Sequence, residues 1–200
     1  CERLTADVQE EQSRTPACVC TFLTAMAPLI TVSDSVLGVK HFITCDLADK
    51  VVNRARDIIV QYCNATDDFD SVVESLEQLT TLAHGDALRK TLTEDLQTVR
   101  RNAIHQRFID PIKKELDKIL ESDAFPLKKY ERIVSDVLPI FERLQTEHGQ
   151  EEPVQLASVM IASALRGLSL QLHNKHNAFA SALRVIDLAC TICLDEKLLG

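Results

Sequence analysis

The sequence predicts an all-α protein, a helical repeat or bundle of about eight or nine helices. Three observations lead there. Apolar residues recur at three- and four-residue steps in several segments, which lines them along one side of a helix. No stretch alternates with a period of two between turn residues. Five Gly and six Pro in 200 residues are too few for a turn-rich all-β chain.

The elements follow in order. Thr15-Pro16 places a proline in a first helical turn, where its missing N–H costs nothing. Pro16–Ser33 carries no charge, but Pro28, three Thr and Ser33 interrupt it, so a buried core helix is expected there rather than a membrane span. Thr44 or Asp46 is expected to open the next helix, whose apolar face is Val51, Val52, Ala55, Ile58, Ile59 and Tyr62. Asp67 or Asp68 is expected to cap the following one, with Phe69, Val72, Val73, Leu76, Leu79 and Leu82 inward. His84-Gly85-Asp86 reads as a stop and a new cap. Leu88–Leu120 looks like an amphipathic connector between two halves. Asp110-Pro111, Phe125-Pro126 and Glu152-Pro153 read as further starts or breaks. Two last helices carry Leu165, Leu168 and Leu172, then Phe179, Ala182, Leu183, Ile186 and Ala189. The expectation is a single all-α domain over 1–200, part of a longer protein, with possible internal halves 16–106 and 107–200.

Composition narrows the partners. A net charge of −8 and a pI near 5.2, without a Lys/Arg run, count against nucleic acid as main partner. Seven cysteines form an odd set, and Ala17-Cys18-Val19-Cys20 and Leu188-Ala189-Cys190 set them among apolar residues. Thiols in such places pack as small hydrophobes, so a reducing, cytoplasmic setting is expected. Asn64-Ala65-Thr66 is a glycosylation sequon that matters only in a secreted protein.

The chain is also self-similar. A shift of 110 lays Val51–Leu82 on Ile161–Ile192 without a gap and makes six pairs identical: Arg56/Arg166, Gln61/Gln171, Asn64/Asn174, Phe69/Phe179, Ser71/Ser181 and Thr81/Thr191. Upstream, Met26-Ala27-Pro28-Leu29-Ile30 resembles Val137-Leu138-Pro139-Ile140-Phe141, each with a proline inside an apolar helix. The second copy, with Leu165-x2-Leu168-Ser169-x2-Leu172 followed by Phe179, Ala182, Ile186 and Ala189, resembles one tetratricopeptide repeat. The signature Trp is absent, Leu172 replaces an aromatic, Val72 and Leu79 replace small residues in the first copy, and Asp195 stands where Pro is usual. That resemblance implies antiparallel helix pairs whose first helices line a groove for a partner. It makes Asn53, Arg56, Val60 and Asn64, and Ser163, Arg166, Leu170, His173 and Asn174, groove candidates. The alternative for the arginines is exposed salt bridges, and for the asparagines helix termination.

No catalytic motif is present: the glycines are isolated, and neither Gly-x-Ser-x-Gly nor His-Glu-x2-His occurs. His173 and His176 with Cys190 and Cys193 have helix-face spacing, but zinc requires four converging ligands, and the cysteines read as core. Asp67-Asp68-Phe69-Asp70 lacks the glycine and terminal Glu of a calcium loop. Lys128, Lys129 and Arg132 read as a solvated face. No metal or cofactor is expected. The expected function is non-catalytic protein–protein interaction, as a scaffold or adaptor that binds another protein or peptide segment. The alternative is an all-α enzyme or ligand-binding bundle with a pocket near His173, His105 or the cysteines. Weaker still is peripheral membrane association through Pro16–Val32.

Overall fold

A computed structural model describes residues 16–193, and every regular element among them is helical. The segments are α1 (Pro16–Leu37), α2 (Phe42–Thr66), α3 (Val73–Leu82), α4 (Asp86–Ile104), α5 (Asp110–Glu121), α6 (Pro126–Arg132), α7 (Leu138–His148), α8 (Glu152–His176) and α9 (Phe179–Ile192). A 3₁₀ turn, Asp70–Val72, leads into α3. Cys1, Thr15, Asp195 and Gly200 lie outside the described residues, as does the side chain of Cys18.

Two π turns change the helix count. His105–Ile109 joins α4 to α5, and Ile133–Val137 joins α6 to α7, so the described residues form seven continuous helices rather than eight or nine. The N–H of Asp110 donates to the carbonyl of His105, and that of Leu138 to Ile133, each five residues back. Each wide turn lies just before a proline, Pro111 or Pro139, whose ring would crowd the carbonyl four residues earlier in a regular helix. Asp110-Pro111 is therefore not a break. Pro126 and Pro153 do sit in the first turns of their helices.

Capping departs from expectation at two places. His41, not Thr44 or Asp46, opens α2: its Nδ1 accepts from the Ile43 N–H at 3.3 Å. Thr44 is fully buried and shares a hydrogen bond with the Ser33 hydroxyl at 3.0 Å. Asp67 ends α2 in the left-handed conformation, φ 54, instead of opening the next helix. Asp68 does serve the next turn, since its Oδ1 accepts from the Ser71 N–H and its Oδ2 from the Tyr62 hydroxyl. The stop at His84-Gly85 is fixed from a distance, because the Asp49 carboxylate of α2 accepts from both backbone N–H groups at 3.0–3.1 Å.

The chain divides into two compact units, Cys1–Ala103 and Ile104–Gly200. In the first, Val19, Leu23, Met26 and Ile30 of α1 meet Val51, Val52, Ile58 and Ile59 of α2, Leu76 and Leu79 of α3, and Leu92 and Val99 of α4. In the second, Ile112, Leu116 and Ile119 of α5 join Phe141 and Leu144 of α7, Ile161, Leu165, Leu168 and Leu172 of α8, and Val185 and Ile192 of α9. The amphipathic segment Leu88–Leu120 thus divides its apolar stripe between two cores.

Three expectations of burial fail. Across Val19–Leu37 only about 22% of residues are buried, so α1 lends the first core one stripe of four side chains and is not a wholly buried helix. Its outward hydroxyls Thr24, Thr31 and Ser35 instead donate to their own helix's carbonyls. On α9 the buried line is Ala182, Val185, Ala189 and Ile192, which leaves Phe179 and Leu183 outside. Cys190 is exposed.

The 110-residue spacing reappears in the helix ends. Helices α2 and α8 are both 25 residues long, and both bounds of α8 lie 110 beyond those of α2. Each is followed by a left-handed residue, Asp67 or Asn177, again 110 apart. Helices α3 and α9 end at Leu82 and Ile192, with the same separation.

Candidate functional site

The candidate site is the outer side of the α8/α9 hairpin. Asn177, φ 51, turns the chain, and the Ala178 N–H closes the end of α8 on the Leu172 carbonyl at 3.0 Å. Small residues let the two helices approach closely: the buried Ser169 hydroxyl donates to the Ala182 carbonyl at 2.8 Å, and Ala162 and Ala189 lie along the same seam. That bond fixes the antiparallel register. It places Arg166 beside Ile186, and His173 beside Phe179, whose rings meet edge-on at 5.0 Å.

The resulting face mixes charge with uncovered apolar surface. Leu170 is 52% exposed, Phe179 57% and Leu183 62%. A shallow cavity of about 50 Å³ opens among Ala162, Ser163, Arg166, Ile186, Ala189, Cys190 and Cys193. Arg166 makes no salt bridge with any described residue. His173 Nδ1 pairs with the Asn174 side-chain oxygen at 2.8 Å. The structure therefore gathers Ser163, Arg166, Leu170 and His173 on one face, with Asn174 at its edge.

The other predicted set lies in the first unit and behaves differently. Arg56 is held by Asp95 of α4 through two hydrogen bonds, Nε–Oδ2 at 2.5 Å and Nη2–Oδ1 at 3.3 Å. Asp95 also raises its pKa above the ordinary arginine value, against the opposing effect of partial burial. Asn53, Val60 and Asn64 are exposed along α2. Neither Asn64 nor Asn174 terminates a helix, because Asp67 and Asn177 do.

No family model, curated protein or solved structure matches the chain.

Sequence reasoning missed the α9 half of the face. The signal was present: Phe179, Leu183, Ile186 and Cys190 form a second apolar stripe beside Ala182, Val185, Ala189 and Ile192. A helix apolar on more than one side needs more than one cover.

Other clusters are accounted for. Among the described residues no group of three or more His, Cys, Asp or Glu converges as metal ligands, and His176 ends α8 with its ring edge against Phe125 at 4.6 Å. The basic residues after Pro126 are engaged: Lys128 with Glu131, Lys129 with the Leu120 carbonyl, Arg132 with Glu115. Buried polar side chains among the described residues are the hydroxyls of Thr44, Ser75, Ser158 and Ser169. Burial, and then Asp68, push the Cys63 thiol above its ordinary pKa. A second exposed apolar cluster, Val36, Leu37, Val39, Phe42 and Ile43, forms the α1–α2 turn. The stretch Val19–Leu37 and helix α8 are each long and apolar enough to cross a membrane by length and composition.

Proposed function

We propose that this chain is a non-catalytic protein-interaction domain, a scaffold or adaptor of the cytoplasm, built from two duplicated, tetratricopeptide-like helical hairpins. Its docking face is the outer side of α8/α9. One observation carries the reading: among the described residues Arg166 has no ionic partner, and its hairpin leaves Leu170, Phe179 and Leu183 exposed. A face that carries a guanidinium together with exposed apolar side chains suits a partner that brings both a carboxylate and a hydrophobic surface. The matched ends of α2 and α8 support the duplication. The cavity of about 50 Å³ falls well short of the roughly 300–1,000 Å³ that encloses a metabolite. That disfavours the ligand-binding or enzymatic alternative at this site.

Affinity capture from native lysate tests the proposal. Arg166→Glu with Leu183→Asp is expected to lose the captured proteins while far-UV circular dichroism stays unchanged. An identical captured set overturns the assignment of this face.

A second reading, peripheral lipid contact, is favoured by the exposed α1–α2 turn, where Phe42 is 74% exposed beside Lys40 and His41. Its test is co-sedimentation with vesicles of mixed neutral and anionic lipid. Phe42→Asp is expected to abolish sedimentation, and a wild-type chain that stays in the supernatant removes this reading.

A further inference from the structure

We infer that the α8/α9 groove receives an amphipathic helix that brings a carboxylate to Arg166, as α4 covers the matching face of α2/α3. The inference rests on the docking reading above and adds the chemistry of the partner.

The argument is one of register. With helix ends in phase at 110 residues, Arg56 corresponds to Arg166, Val73 to Leu183, Leu76 to Ile186 and Glu77 to Asp187. In the first unit this face has an occupant. Leu92 of α4 is fully buried in the first core, Val99 nearly so, and Leu88 and Leu96 pack on that core. Two ion pairs fix α4 there: Asp95 holds Arg56, and Arg100 holds Glu77. The start of α4 is tied as well, by an Arg89 hydrogen bond to the Ala83 carbonyl at 2.7 Å. In this unit Leu76 is buried, and Phe69 and Val73 are partly buried.

In the second unit the corresponding groups are open. Phe179 and Leu183 are exposed, and neither Arg166 nor Asp187 has an ionic partner among the described residues. The occupied face thus specifies what the open one lacks. The fitting helix carries apolar residues with the spacing of Leu88, Leu92, Leu96 and Val99. It places an acid one residue before the third of these, where α4 has Asp95, to meet Arg166. Five residues later it carries a base, where α4 has Arg100, to meet Asp187. The apolar spacing favours a helix over an extended peptide, because steps of four, four and three residues keep one helix face.

The probe is a fluorescent, end-blocked peptide of residues 85–104, titrated into the 200-residue chain and followed by anisotropy and peptide helicity. Saturable binding with a gain of helicity is expected. Arg166→Glu should weaken it about tenfold or more, as should Asp95→Arg in the peptide, and the two changes together should restore most of the affinity. Leu183→Lys, at an exposed position, should abolish binding with an unchanged melting temperature. No saturable binding, or binding indifferent to Arg166 and Leu183, overturns the inference. If the peptide fails while Leu183→Lys still removes the proteins captured from lysate, the helix is wrong and the docking face stands. If neither responds, both fall. A concentration-dependent dimer that Leu183→Lys dissociates, without peptide binding, makes a second copy the occupant and overturns the helix assignment.

Discussion

Arg56 and Arg166 carry the same side chain into different circumstances, and the difference is measurable. The Arg56–Asp95 pair is about three-quarters shielded on both sides, and its two-pronged geometry adds strength that a fully exposed pair lacks. Arg56→Ala should cost about 1–2 kcal/mol in urea unfolding, and a double-mutant cycle with Asp95→Ala should show positive coupling. Arg166→Ala should leave stability unchanged within about 0.5 kcal/mol, and an equal loss at both sites would contradict the assignment. Asp68 offers a pH test. Hydrogen bonds from Ser71 and then Tyr62 hold its carboxyl below the usual range near 3.9. A depressed folded pKa contributes stability above the unfolded value, and that contribution disappears as pH falls through the folded one. The gap in melting temperature between wild type and Tyr62→Phe should therefore be constant from pH 5 to 7 and close below about pH 4. A gap that widens on acidification would rule out this bond as the cause. Cys63, buried and with a raised thiol pKa, should react with a thiol reagent far more slowly than exposed Cys190 in the native protein.

At the scale of the element, Gly85 shows how distant residues set helix ends. A Cβ there would press into the Asp49 carboxylate, the group that accepts from the His84 and Gly85 N–H groups. Gly85→Ala should thus displace the cap and cost about 1–3 kcal/mol; a thermal melt unchanged from wild type would show that Asp49 moves aside freely. The same feature explains what the sequence made legible. Helices were readable from periodicity because burial in α2, α3 and α8 follows the three- and four-residue steps closely. Caps were less so, since His41 and Asp49 act through geometry that adjacent residues do not reveal. The π turns were hidden because a proline in sequence reads as a break, whereas one wide turn ahead of Pro111 or Pro139 lets the helix continue. At the candidate site, Ser163, Arg166, Leu170 and His173 were visible from the repeat. Phe179 and Leu183 were not, because a helix with two apolar stripes does not declare which one the core takes.

For the whole molecule, the division into two units has an energetic consequence. Leu79 and Leu168 lie in different cores, and each is buried to 1% exposure or less. Truncation of either to Ala leaves a cavity and should cost about 2–5 kcal/mol locally. If each core is its own cooperative unit, the loss stays on its side of the boundary between Ala103 and Ile104. Native-state hydrogen exchange resolves this. Leu79→Ala should speed exchange of protected amides in α2 and α3 and leave those of α8 and α9 at wild-type rates, and Leu168→Ala should do the reverse. Equal acceleration on both sides would mean that the two cores unfold together. The α8/α9 face would then depend on the integrity of the first unit. Independent exchange instead leaves the second unit free to present that face regardless of the first, as a docking module requires.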